Sequence, residues 1–124
     1  MLLAGCRPQA ATDQAPLVIA AYGSIDSVDP AQATTVIALQ LISALGDPLY
    51  AIDGQGAIQP KLARALPKLS DDGLTATIPL RQGVLFHDGT PFDADAMAFS
   101  LRRFLAIGKL SYVVGDRIRA VRVT

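Results

Sequence analysis

The stretch from Asp71 to Phe104, DDGLTATIPLRQGVLFHDGTPFDADAMAFSLRRF, constrains the fold more than any other part of the chain. It reads as a turn, a strand, a short apolar run, a second turn and a capped helix. Asp71-Asp72-Gly73 is a turn signal, because Gly tolerates positive φ and Asp side chains bond their own backbone. Leu74 to Leu80 alternates, with Ala76, Ile78 and Leu80 on one side and Thr75, Thr77 and Pro79 on the other, as in a half-buried strand. Pro79 has no ladder donor, which predicts an edge strand or one with an unpaired side. Val84-Leu85-Phe86 predicts a second short strand, and His87-Asp88-Gly89-Thr90-Pro91 then turns the chain. Asp93 is placed to cap a helix, with Asp95 in its first turn meeting the positive end of the dipole. Met97, Leu101, Phe104 and Leu105 at i, i+4, i+7 and i+8 give that helix one apolar face. Arg102 and Arg103 lie near its far end, where positive charge is favoured.

This stretch resembles the signature of family 5 extracellular solute-binding proteins, the peptide, nickel and oligopeptide receptors of ABC importers. The similarity is ordered and ungapped, through Asp72, Gly73, Leu80, Arg81, Gly83, Val84, Phe86, His87, Asp88, Gly89, Thr90, Pro91, Phe92 and Ser100. The chain departs from the pattern at Pro79, Asp93 and Ala96. Asp in place of the family's usual Thr at a helix cap is physically neutral. The resemblance implies a mixed α+β fold of the type II periplasmic-binding-protein kind, of which residues 17–124 form part of the first lobe. It implies that Asp72, Gly73, Arg81, Gly83, Phe86, His87, Asp88, Gly89, Pro91 and Phe92 are structural. Family members are several-fold longer, so the resemblance also implies an N-terminal fragment of a longer protein.

The N-terminal residues Met1 to Cys6, MLLAGC, form a second informative stretch. Leu3-Ala4-Gly5-Cys6 resembles a bacterial lipobox, whose small residues fit a peptidase cleft and whose Cys thiol accepts a diacylglycerol. Residues 1–6 thus read as the remnant of a lipoprotein signal, with most of the usual signal peptide missing. An incidental cysteine in a tail is the plainer alternative for Cys6. Arg7 to Pro16, small and polar without periodicity, reads as a flexible tether. Acylation would hold the protein at a membrane surface without spanning it.

Leu17-Val18-Ile19-Ala20-Ala21 is a continuous apolar run, which predicts a strand buried on both faces. In open α/β sheets ligands bind just beyond the C-terminal ends of strands. Tyr22, Gly23, Ser24 and Ile25 are therefore the candidate ligand-binding loop, and the resemblance places the family's loop after its first strand there too. Tyr22 reads equally as a packed aromatic with its hydroxyl bonded to backbone. Asp29-Pro30 suits a turn or a helix start. Thr34 to Leu45 predicts a mostly buried helix with Ala38, Leu41, Ile42 and Leu45 on one face, stopped by Gly46 and Pro48. Leu49 to Ile52, Asp53-Gly54-Gln55-Gly56 and Ala57-Ile58 predict a hairpin, after which Pro60 is expected to start one helical turn. Ile118 to Val123 reads as a strand.

Formal net charge is zero, so no basic excess points to nucleic acid. The longest apolar run, Val36 to Leu45, is broken by Gln40 and Ser43 and is too short to cross a bilayer. His87 beside Asp88 lacks the separately positioned third group that charge relay needs, and no nucleophile elbow is present. It reads as a turn histidine bonded to backbone or packed under the following helix. One His and one Cys do not supply the three or four ligands of a zinc site. No cofactor, metal or catalytic residue is expected. The arginines Arg102, Arg103, Arg117, Arg119 and Arg122 read as a solvated face or as salt-bridge partners.

The resemblance thus implies a substrate-binding component of an ABC importer in the periplasm or outside the cytoplasmic membrane. Its partners would be a peptide or other small solute, permease subunits and, through Cys6, the membrane. A solute-sensing domain of a regulator on the same fold is the alternative; nothing upstream of residue 17 resembles a DNA-binding helix-turn-helix.

Overall fold

Thr35 opens the first helix, α1 (Val36–Leu45), in extended conformation, its hydroxyl accepting from the Ala38 amide at 3.3 Å. That bond satisfies one of the four donors a helix start leaves unpaired. A computed structural model describes residues 18–124; Cys6 and the segments 1–6 and 7–16 lie outside them. The elements that follow are β1 (Tyr50–Ile52), β2 (Ile58–Pro60), β3 (Lys68–Leu69), β4 (Ala76–Thr77) and α2 (Ala94–Ile107). Two short 3₁₀ turns, Ser111–Val113 and Gly115–Arg117, come last.

The strands make two antiparallel pairs. β1 and β2 pair Tyr50 with Pro60 and Ile52 with Ile58, around the expected loop at Asp53. β3 and β4 pair Lys68 with Thr77 and Leu69 with Ala76, around the Asp71-Asp72-Gly73 turn. The chain between the pairs links them: Lys61 and Ala63 donate to the Leu49 carbonyl, Arg64 donates to Pro79 and Arg81 to Leu62. Pro79 therefore serves the ladder through its carbonyl alone, as a residue without a donor must.

Asp93 caps α2, its Oδ1 accepting from the Ala96 amide at 2.8 Å, with Asp95 in the first turn. Met97, Leu101, Phe104 and Leu105 are half-buried as the apolar face requires, and Ala98 beside them is buried. At the other end, the Gln32 side-chain amide donates to the Ile107 carbonyl at 2.8 Å and the Lys109 amide to Ala31 at 2.9 Å. The turn at residues 29–33 thus caps the helix C-terminus, satisfying a carbonyl that α2 leaves unpaired.

Several expectations are corrected. The run at residues 17–21 is not a buried strand over its described part, where Val18 is 82% and Ile19 79% exposed. A strand apolar on both faces needs neighbours on both sides, and no described segment pairs with it. Residues 118–123 likewise form no strand. The predicted strand over 74–80 shortens to β4 and one isolated bridge, Ala63 to Leu80. Val84 to Phe86 contributes a single bridge, Leu85 to Pro91, within a tight turn. Pro60 ends β2 and starts no helical turn, because the next amides donate back to residues 48 and 49. α1 is less buried than its composition suggests: Ala38 is buried, but Val36 and Leu45 are more than half exposed.

The core is correspondingly thin. Its buried apolar residues are Ala31, Ala33, Ala38, Ala63, Phe92 and Ala98, and among the described residues no large side chain is fully buried.

Candidate functional site

The loop at residues 22–25 lies against the start of α1. Gly23 has φ of +136°, and a Cβ there would sit 3.1 Å from Ile37 Cγ1, so glycine is what permits the close approach. The Thr35 hydroxyl is 3.1 Å from the Ser24 carbonyl, in position to donate. Tyr22 is fully exposed and Ile25 about half exposed, which removes the packed-aromatic reading of Tyr22. Just past the loop, Asp26 accepts from both the amides and the hydroxyls of Thr34 and Thr35. These bonds, led by that from the Thr34 hydroxyl, hold its carboxyl well below the usual carboxylate range.

The signature residues build a separate region. Asp72 Oδ1 accepts from the Leu74 amide at 2.9 Å and the Ser70 hydroxyl at 2.6 Å, while Gly73 takes φ of +69°. Arg81 is exposed, its amide on Leu62. Gly83 has φ of +72°, and Gly89 +84°. Asp88 Oδ1 accepts from the Thr90 amide and, at 2.6 Å, from its hydroxyl, and Phe86 exchanges backbone bonds with Gly89 and Thr90. Pro91 bridges Leu85, and Phe92 is buried with its ring edge-to-face against Phe86 at 5.8 Å. Apart from Arg81, whose side chain is exposed, these residues shape a turn or fill space beneath it. His87 differs from expectation: it is exposed at the tip of its turn, with no hydrogen bond from its ring among the described residues, and it is not packed under α2. The Asp88 and Thr90 bonds close this turn without the ring, which is left exposed.

Two open grooves flank these elements. One, of about 430 Å³, runs between the C-terminal end of α1 and the 84–92 turn, lined by Leu45, Leu62, Val84, Phe86, His87 and Phe92 among others. The other, of about 580 Å³, lies between α2 and residues 111–121. Residues 22–25 line neither. No three His, Cys, Asp or Glu side chains gather as a metal-binding set among the described residues, and no described helix is long and apolar enough to cross a membrane.

The sequence did not disclose the pairing of Asp29 with Arg103. The guanidinium grips both carboxylate oxygens, Nη1 to Oδ1 at 2.9 Å, across 74 residues of sequence. Arg102 instead donates to the Val121 carbonyl through Nε and Nη2. Neither arginine lies in the last turn of α2, so their role is tertiary and owes little to the helix dipole.

Residues 57–121 match the profile of the bacterial extracellular solute-binding proteins, family 5 Middle. The chain belongs to that family. It is 36% identical over 87 residues to the glutathione-binding protein GsiB of Salmonella paratyphi A (strain ATCC 9150 / SARB42), covering 70% of this chain and 17% of that one. The GsiB protein of Escherichia coli (strain K12) is 32% identical over the same length and shares. Among solved structures, Listeria monocytogenes OppA bound to peptide superposes with a TM-score of 0.66 at 30% identity, over 73% of this chain and 18% of that one. The family 5 chain therefore has a mixed α+β, type II periplasmic-binding-protein-like fold and spans less than a fifth of the relatives it matches.

Proposed function

We propose that the full-length protein is the solute-binding component of an ABC importer, which captures a peptide or similar small solute outside the cytoplasmic membrane and delivers it to a permease. The observation that carries this reading is the family 5 match over residues 57–121. The solute class follows the relatives: one is named for binding glutathione, itself a small peptide, and the other is bound to peptide. Capture in such a receptor is closure of two lobes about a hinge, with no bond made or broken. Tyr22, Gly23, Ser24 and Ile25 would line the cleft. An exposed aromatic ring with a polar tip, beside exposed main chain, suits a ligand that is part apolar and part amide. Cys6 would carry the lipid, with residues 7–16 as tether to the membrane.

The test is titration calorimetry of the purified full-length protein with reduced glutathione and with tetra-alanine. Saturable one-to-one binding of either is expected; heat from neither overturns the peptide reading. Labelling by palmitate in a bacterial host, lost in Cys6→Ser, tests the anchor independently.

A further inference from the structure

The proposed ligand loop is fastened to α1 by a carboxylate that is not part of it. Asp26 follows Ile25 directly, and both its oxygens meet the corner that leads into the helix. Oδ2 accepts from the Thr34 amide at 2.9 Å and the Thr34 hydroxyl at 2.6 Å. Oδ1 accepts from the Thr35 hydroxyl at 3.0 Å and, at longer range, from the Thr35 amide at 3.4 Å. The Thr35 hydroxyl has one proton and two acceptors within reach, Asp26 and the Ser24 carbonyl. A charged acceptor makes the stronger bond, so Asp26 holds that proton and Ser24 shares the corner. The same Thr35 oxygen accepts from Ala38 as the cap of α1, which ties the loop to the start of the helix.

The loop is held at its other end by shape. Gly23 lies so close to Ile37 that a Cβ would crowd it, and Ile37 is one residue into α1 past Val36. Two contacts, one steric and one a set of hydrogen bonds to a carboxylate, therefore bracket Ser24 and Ile25 and leave Tyr22 projecting into solvent. Among the described residues no buried core holds the loop, because residues 18–26 are all exposed.

Resting on the reading of residues 22–25 as a cleft loop, we propose that Asp26 is a positioning residue: it touches no solute, but by fastening the loop to the Thr34-Thr35 corner it holds Tyr22 and the main chain of Gly23 to Ile25 ready for one. A loop ordered before binding loses less freedom on binding. Release of four residues weakens capture by roughly tenfold, at the modest end of that ordering cost.

The experiment compares full-length wild type, Asp26→Ala and the milder Thr34→Val, which removes only the 2.6 Å hydroxyl bond. Hydrogen exchange over residues 18–35 is read by mass spectrometry without solute and with it. Affinity for reduced glutathione and tetra-alanine is read by calorimetry. In Asp26→Ala, exchange over 22–35 is expected to rise about tenfold and affinity to fall about tenfold, with Thr34→Val between it and wild type. Saturating solute should restore slow exchange in the variant, which general destabilisation would not produce at an unchanged melting temperature. Unchanged exchange overturns the proposal, as does faster exchange with unchanged affinity in a protein that binds. If wild type binds neither probe, the peptide-receptor reading fails and exchange alone decides whether Asp26 fastens the loop. Should Asp26→Ala not fold, the same comparisons with Thr34→Val decide.

Discussion

Asp29 ties the turn before α1 to the far end of α2, and its partners set its titration. The hydrogen bond from Arg103, then the Ala31 amide at 3.0 Å, hold its carboxyl down at about 2. Both side chains are about one-third exposed, so salt screens the pair. Because the folded carboxyl titrates below its ordinary value, its contribution to stability is complete above that value and is lost as pH falls toward 2. Thermal midpoints of the full-length protein and Asp29→Asn should therefore differ near neutrality and converge in acid; a constant offset at every pH would sink this account. Asp93 is simpler. Asp93→Ala removes the cap bond to Ala96 and should cost about 1 kcal/mol in denaturant unfolding. That cap was legible because its partner lies three residues away. The Asp29–Arg103 pair and the Asp26 clasp were not, since neither spacing belongs to any local pattern.

One device recurs among the elements. In each of three turns an aspartate gathers amides while a glycine takes positive φ: Asp53 with Gly56, Asp72 with Gly73, Asp88 with Gly89. These turns were readable from the sequence because the bonds that shape them lie within six residues. The strands were readable only in part, since a strand exists by its partner. Residues 74–80 alternate along their length, yet only Ala76–Thr77 finds a continuous neighbour. At the third turn the local bonds lead into packing, where buried Phe92 sets its ring edge-to-face with that of Phe86. Phe92→Ala should cost about 3 kcal/mol in the full-length protein, the low end for a buried aromatic. Phe92→Leu should recover much of that, and equal losses would show that volume at this site does not matter.

At the scale of the whole molecule the apolar content and the buried volume disagree. Hydrophobic residues make up 51% of the sequence, yet among the described residues five of the six buried apolar ones are alanines. Alanine brings little apolar area, whereas a fully buried larger side chain contributes about 1.5–3 kcal/mol, and none of that size is fully buried among the described residues. Against this stands a backbone ordering cost of about 1–2 kcal/mol per residue. Both sheets among the described residues are two-stranded, and a lone two-stranded pair is marginal in water. The segments at 18–21 and 118–123, which the sequence marks as strands, pair with no described strand, and Val36, Leu45 and Phe99 face solvent. The relatives are far longer, with this match occupying 17% of GsiB, so further chain is available there to cover such faces. The 124 residues expressed alone should accordingly show a gradual thermal loss of circular dichroism, bind a hydrophobic dye strongly and self-associate with concentration. The full-length protein should melt cooperatively and bind little dye. A single sharp transition in the isolated 124 residues, without dye binding, would mean that this thin core suffices and that the exposed apolar faces need no cover.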